Sequence, residues 1–315
     1  MEKLIEKAYL LINQPIDPNL VVPEEIKEIV NYREAEAGED VVYFQTEREI
    51  DDLYEANGDG DILYHKLTLG TTTPLYFQGQ NSKLCTVLID EILNSKDLTA
   101  IANKKLAITR AMDKLEAYNV IQLCLGIGAG QEITKVTGED ELDVIIRMKQ
   151  LVSNYATNYI LLVSSDVADK IETYDKRHVT GDGAFNYNMS IFTVIKNLGI
   201  DKVVKIIGKV QLGEAVTGND ETKVIPDGTA ILVGRDSTLV EGRPISLIRR
   251  KFTKEVAQLS GAGEGAVRLI SIIPTPYPIN ANGKQTLGYS VFGYESLIQV
   301  LVNKRAVSFS SNIIA

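Results

Sequence analysis

Few residues in this sequence have types and spacings that could do chemistry. Gly126-Ile127-Gly128-Ala129-Gly130 has the glycine spacing of a loop that lets backbone approach a pyrophosphate. Such a loop needs a strand before it and a helix N-terminus after it, because the amides and dipole there hold the phosphate. Here a long helical pattern comes first, so the glycines read as a helix stop and a loop. Gly261-Ala262-Gly263-Glu264-Gly265 leads into a strand pattern and fails the same test. No Gly-x-x-x-x-Gly-Lys-Ser/Thr phosphate loop occurs.

Metal and nucleophile chemistry fare no better. Asn57-Gly58-Asp59-Gly60-Asp61 has the acidic look of a calcium loop. An EF-hand needs Gly at its sixth position and Glu at its twelfth. Counted from Asn57, those positions hold Ile62 and Thr68, so the stretch reads as a solvated hairpin tip. The histidines are His65 and His178, which excludes a histidine-rich metal site. A catalytic base also needs a nucleophile and an orienting carboxylate beside it. His178 follows Asp175, Lys176 and Arg177 in a polar stretch, and neither Gly-x-Ser-x-Gly nor His-Glu-x-x-His is present. The carboxylate pairs Asp51/Asp52 and Glu24/Glu25 fall on expected surface. Cys85 and Cys124 have neither a CxxC nor a zinc spacing and lie among apolar residues. They read as buried free thiols, in a fold suited to a reducing compartment. The expectation is a protein that is not an enzyme and holds no cofactor or metal.

Composition sets the frame for what remains. The chain has 315 residues, with 33 Lys+Arg against 42 Asp+Glu and a net charge of −9. With 44% hydrophobic and 24% charged residues, wholesale disorder is excluded. The length suits one large or two modest domains and a sizeable core. The acidic balance argues against a sequence-reading nucleic-acid binder, which shows a basic face. It is compatible with a protein that encloses nucleic acid without gripping it. Mixed charges in Met1–Lys7 leave no secretory signal. The longest uncharged stretch, Gln150–Ser165, falls short of the ~20 apolar residues of a membrane span, so a soluble protein with no membrane partner is expected.

The elements follow from periodicity. Residues 1–38 read as a helical arm. Leu4, Ile5, Ala8, Leu11 and Ile12 form one helical stripe. After Pro15 and Pro18, Pro23 with Glu24 and Glu25 opens a second helix, with Ile26, Ile29 and Val30 as its one apolar face and Gly38 as its stop. Residues 39–83 change character. Val41–Gln45 is strand-like, and Ile50–Glu55 and Ile62–Leu69 flank the Asn57–Gly60 turn as a long hairpin. Gly70–Pro74 and Gly79–Ser82 read as loops. Residues 97–125 carry the longest helical pattern, with Lys104, Lys105, Arg110 and Lys114 among its polar positions. Its tail, Val120–Leu125, is apolar all round and so should be buried.

Beyond Thr137 the pattern alternates. Thr137-Gly138-Glu139-Asp140 starts a helix like a capping box. Tyr159–Ser164 is an apolar strand, and Ser165-Asp166 caps a helix through Thr173. Asp175–Tyr187 is a loop, Ile191–Leu198 a short helix, and Lys202–Ile207 and Ala230–Val233 are strands. This order suggests a helix-flanked sheet. Residues 245–310 are mainly β, with strands at Ile245–Phe252, Ala266–Ile273 and Ala306–Ser310 and a short helix at Glu295–Val302. Arm and hairpin together look unable to bury themselves. A lone two-stranded ribbon is marginal in water. Either they fold back on their own chain, or copies of the chain cover them in a symmetric array.

In this order the elements resemble the major capsid protein of tailed bacteriophages, the Hong Kong 97-like fold. Three phrases carry the likeness: Tyr159-Ile160-Leu161-Leu162-Val163-Ser164-Ser165-Asp166 as a strand and capped helix, Ile225-Pro226-Asp227-Gly228-Thr229-Ala230-Ile231-Leu232-Val233-Gly234 as a turn and strand, and Gly288–Ser308 as the closing segment. The resemblance implies an α+β chain: an N-terminal arm at 1–38, an extended β-hairpin loop at 39–83, and a spine helix with the start of a peripheral β domain at 84–138. An axial α/β domain at 139–244 would follow, then peripheral return strands and a closing axial segment at 245–315. It implies a virion shell protein, made in the bacterial cytoplasm, that assembles with itself into hexamers and pentamers around double-stranded DNA, with a scaffolding protein, portal and decoration proteins as further partners. Leu53, Tyr54, Asn57, Gly58, Tyr64 and Leu67 in the hairpin, Ile26 and Ile29 in the arm, and Gly181 and Gly183 in the axial loop are the expected assembly contacts. Two features depart from parts of the family. The sequence shows no long scaffolding segment before the arm. Lys66 lies in the hairpin as some members' cross-linking lysine does, but no Asn or Glu matches its partners, so that chemistry is not carried over. An encapsulin-like nanocompartment shell has the same fold and is the alternative. A soluble α/β nucleotide-binding enzyme using the glycine loops is a third reading.

Overall fold

The structure, a computed structural model, describes residues 23–45, 72–77, 79–88, 99–174, 195–196, 198–212, 221–236, 242–259, 263–274, 279–281, 284–286 and 288–314. In chain order the first strands are β1 (Val30–Ala35), β2 (Val41–Gln45), β3 (Thr72–Tyr76) and β4 (Gly79–Leu88). The helices α1 (Thr99–Leu125) and α2 (Glu141–Val152) come next, then β5 (Asn158–Ser164) and α3 (Ser165–Tyr174). The short strands β6 (Ile200–Ile206), β7 (Lys209–Gln211), β8 (Glu221–Lys223) and β9 (Ala230–Arg235) lead to β10 (Ile245–Arg250) and α4 (Lys254–Leu259). The chain ends with β11 (Arg268–Pro274), β12 (Ile279–Ala281), β13 (Lys284–Thr286), β14 (Gly288–Leu301) and β15 (Val307–Ser310).

Two sheets organise these elements. The larger has the order β1-β10-β14-β11, with β4 also paired to β14. The smaller has the order β15-β9-β5-β6. β5 explains why both are needed. Its run Tyr159–Val163 is apolar without alternation, as expected of a strand covered on both faces. Ile160 and Leu162 face a core shared with the larger sheet (Ile245, Leu247, Leu297) and with the tail of α1 (Val120, Ile121, Cys124). Leu161 and Val163 face the opposite way, onto α2 (Val144, Ile145, Met148) and α3 (Val167, Ile171). The expected burial of the α1 tail and of the Cys124 thiol is therefore met.

α2 begins near the expected place, but the box is Asp140–Asp143 and not Thr137–Asp140. Asp140 caps it by accepting from Asp143 N at 2.9 Å, and Asp143 accepts in return from Asp140 N at 3.1 Å. Gly126–Gly130 follows α1 and leads only into a single 3-10 turn, Ala129–Gln131. The strand, glycine loop and helix order that a dinucleotide needs is not built there.

Three expectations are corrected. Pro23–Val30 makes two successive turns, closed on Pro23 O and Ile26 O, rather than a helix to Gly38, and the chain then enters β1, parallel to β10 with Val30 opposite Ile245. Arg243 accounts for the stop. Its guanidinium donates to Lys27 O at 2.8 Å and Val30 O at 2.6 Å, taking carbonyls that a longer helix would use. Second, the stretches 70–74 and 79–82 read as loops, yet they hold β3 and the start of β4, whose pairing partners lie far away in sequence. Third, Glu295–Val302 is not a helix but the end of β14. Leu297 and Leu301 face the shared core, while Ile298 faces a smaller cluster with Ile248 and Ala35. Burial on both faces imitates helical periodicity, and the β-branched residues favour the strand.

Candidate assembly site

β2 and β3 form a two-stranded ribbon in register from Val41 opposite Tyr76 to Gln45 opposite Thr72. Period-two alternation gives it two unlike faces. Val42, Leu75 and the adjoining Phe77 pack on Ala35, Ile248 and Ile298, and Arg250 lies over the Phe77 ring at 5.3 Å. The other face carries Tyr43 and Tyr76, which are 70% and 56% exposed. Buried contacts thus hold one side of the ribbon while two large aromatic side chains stand free on the other. Because Gln45 and Thr72 are paired, segment 46–71 leaves and returns at one rigid base.

The expected contacts distribute unevenly. Leu53, Tyr54, Asn57, Gly58, Tyr64 and Leu67 lie in segment 46–71, outside the described residues, as do Gly181 and Gly183. Ile26 and Ile29 are corrected. At 0% and 1% exposure they belong to the chain's own core, beside Ala117 and Ile121 of α1, and have no surface to offer a neighbour. Tyr43 and Tyr76 were not foreseen. Val41–Gln45 reads as a strand, but the face it leaves bare can be read only once β3 is known to be its partner.

Beneath this surface α1 is clamped to the larger sheet by charge. Arg249 of β10 points at the helix because Leu247, two residues earlier, does so too. Its guanidinium makes a two-pronged pair with Glu116, Nε to Oε1 at 2.8 Å and Nη2 to Oε2 at 2.5 Å. Arg268 of β11 donates to Asp113 of α1 at 2.7 Å and to Glu295 of β14 at 2.7 Å, and approaches Glu116 at 3.5 Å. Three carboxylates therefore share two guanidinium groups. Burial, and then the neighbouring Glu295 charge, push the Glu116 carboxyl up to about 7. Burial opposes the charge on Arg249 and Arg268, but the surrounding carboxylates more than offset it and hold both above the usual range. Such an arrangement fixes the position of a helix. Among the described residues no group of His, Cys, Asp and Glu could hold a metal, and no helix is long and apolar enough to cross a membrane.

Comparison of the whole fold decides its class. A putative capsid protein of an Escherichia coli CFT073 prophage superposes over 98% of this chain and 98% of its own, with a TM-score of 0.53. This chain has the fold of phage capsid proteins. Sequence identity to that protein is 11%, so the likeness lies in the fold alone. A virus-like particle from Pyrococcus furiosus matches 98% of both chains at a TM-score of 0.51 and 12% identity. The mature capsid of bacteriophage PhiM1 matches 92% of this chain and 87% of its own, at 0.51 and 9%. No family model matches the sequence, and no curated protein does. The capsid fold explains why resemblance had to be read from the order of elements: it can be kept while nearly all side chains change.

Proposed function

We propose that the chain is a structural protein, the major capsid protein of a tailed bacteriophage, whose copies assemble into an icosahedral head around double-stranded DNA. The observation that carries this reading is the match of the capsid fold over nearly the full length of both chains. In this reading α1 is the spine helix, segment 39–83 the extended loop on its β2–β3 base, and the larger sheet the peripheral domain. Residues 139–244, with β15 closing their sheet, are the axial domain. β1 takes residues 30–35 out of the arm and into the larger sheet. Hexamers and pentamers of the chain itself are the principal partners, and scaffolding, portal and decoration proteins the others. The protein would be made in the bacterial cytoplasm and reside in the virion.

Physical argument supports the assignment. A shell has to bury large, flat surfaces between copies, often beyond a standard ~1,600 Å² interface. Exposed tyrosines on a rigid ribbon suit such contacts, since they bury much area at little entropic cost. A helix locked to a sheet by buried ion pairs is a stiff strut. The test is light scattering and negative-stain microscopy on the purified protein, with and without a candidate scaffold. Closed shells or hexamer and pentamer rings are expected. A stable monomer or dimer under both conditions would overturn the reading.

A further inference from the structure

A cleft of about 470 Å³ runs between the first half of α1 and the β7–β8 ribbon. Lys104, Arg110 and Lys114 stand along its helix side, above a floor that includes Ile108, Ala111 and Val210. On the opposite wall Lys209 is paired with Glu221 at 3.1 Å. Lys104, Arg110 and Lys114 have no carboxylate within 4.0 Å among the described residues. The sheet edge nearby behaves differently: Lys202, Lys205, Lys209 and Lys223 each face an acid. Gly208 adds to the site. It sits at a φ of 109°, and a Cβ there would lie 2.8 Å from Lys114 Nζ, so the missing side chain makes room for the ammonium.

We infer that this cleft is where the subunit touches the phosphate backbone of double-stranded DNA, which turns the N-terminal half of α1 toward the inside of the shell. The inference rests on the capsid reading above. A subunit of net charge −9 repels DNA over most of its surface, so contact is confined to places where cations outnumber acids. Lys104 and Lys114 are about 15 Å apart along the helix at ~1.5 Å per residue. Duplex DNA carries one charge per ~1.7 Å of axis, so such a row meets several phosphates at once. A row of cations that meets phosphates carries no sequence information, so the contact is independent of sequence. The rival occupant is an acidic peptide. Thr46–Asp61 of a second copy is the strongest candidate, with Glu47, Glu49, Asp51, Asp52, Glu55, Asp59 and Asp61 against Arg48 alone.

The experiment titrates unassembled full-length subunits with a labelled DNA duplex at several salt concentrations, alongside microscopy of the same preparations. Three phosphate contacts predict a slope of log K against log salt near −3, a loss of roughly 40-fold from about 50 to about 200 mM. Lys104→Gln/Arg110→Gln/Lys114→Gln should abolish that dependence with the circular dichroism melt unchanged. Lys202→Gln/Lys205→Gln, which removes cations already paired, should retain it. Equal salt slopes for the triple variant and wild type would overturn the inference. So would a wild type that binds the Thr46–Asp61 peptide through these cations and not DNA. Shells without cation-dependent DNA binding refute the cleft alone. DNA binding through the cleft without shells refutes the capsid reading alone.

Discussion

Arg249 meets Glu116 across 133 positions of sequence, with 1% and 0% of their side chains exposed, and ties the middle of α1 to the second strand of the larger sheet. Truncating one partner leaves the other charged and dry. Glu116→Ala is expected to destabilise the unassembled subunit by about 3–5 kcal/mol, measured by chemical denaturation. Adding Arg249→Met should recover part of that loss, because the stranded charge goes with it. A double variant as unstable as Glu116→Ala alone would show that packing, not charge, holds the helix.

The same carboxyl predicts a pH dependence. Its folded value is about 7 against an ordinary 4.5, so between those values the native state keeps a proton that the unfolded chain has released. Stability from this group is fully present below about 4.5 and is lost as pH rises through about 7. Unfolding free energy should therefore decline across that window in wild type. Glu116→Gln should remove the decline. Parallel curves for the two proteins would refute the assignment.

Those residues also mark what the sequence makes legible. Glu116 lies within the long helical pattern, and the Ile245–Phe252 strand could be drawn around Arg249, because periodicity and capping are local. The helix start just after Thr137–Asp140 and the apolar strand Tyr159–Ser164 were readable for the same reason. That Glu116 and Arg249 meet was not. Pairings such as Val30 with Ile245, or Gln45 with Thr72, depend on contacts across the chain that a single sequence does not encode locally. The errors share this origin. Leu297, Ile298 and Leu301 looked helical because other elements pack on both faces of their strand. Ile26 and Ile29 looked free because their cover, the tail of α1, comes much later in the chain.

Gly234 tests the packing between the smaller sheet and its surroundings. A Cβ there would stand 2.3 Å from Ala156 Cβ and 3.1 Å from Ala306 O, near the end of β9. Neither neighbour is the far end of a long side chain that could swing away. Gly234→Ala should cost about 1–3 kcal/mol by overpacking. Gly130→Ala, where a Cβ meets open space, should stay within about 0.5 kcal/mol. Similar thermal melts for the two variants would contradict the geometry.

Tyr43 and Tyr76 separate assembly from folding. Both stand on the solvent face of the ribbon, so Tyr43→Ser/Tyr76→Ser should move subunit stability by no more than about 0.5 kcal/mol per site. If the pair anchors a contact between copies, each truncation removes a burial worth about 1–2 kcal/mol or more, repeated at every interface of a shell. Particle yield by light scattering should then collapse. Undiminished yield would assign the tyrosines no part in assembly.

Segment 46–71 is the sharper case, because its base belongs to the described fold. Removing Asp51–Leu69 and bridging the gap with glycines leaves Gln45 and Thr72 free to pair, and leaves Val42 and Leu75 on their cluster. The subunit should therefore keep its circular dichroism spectrum and its melting temperature. If copies of the chain cover this segment, the shortened subunit should fail to form shells. The glycine bridge matters, since a strained closure would pull the ribbon out of register and mimic a loss of assembly. An unfolded subunit would show that the segment completes its own core. Shells at normal yield would show that the contacts between copies lie elsewhere, with Tyr43 and Tyr76 the next to test.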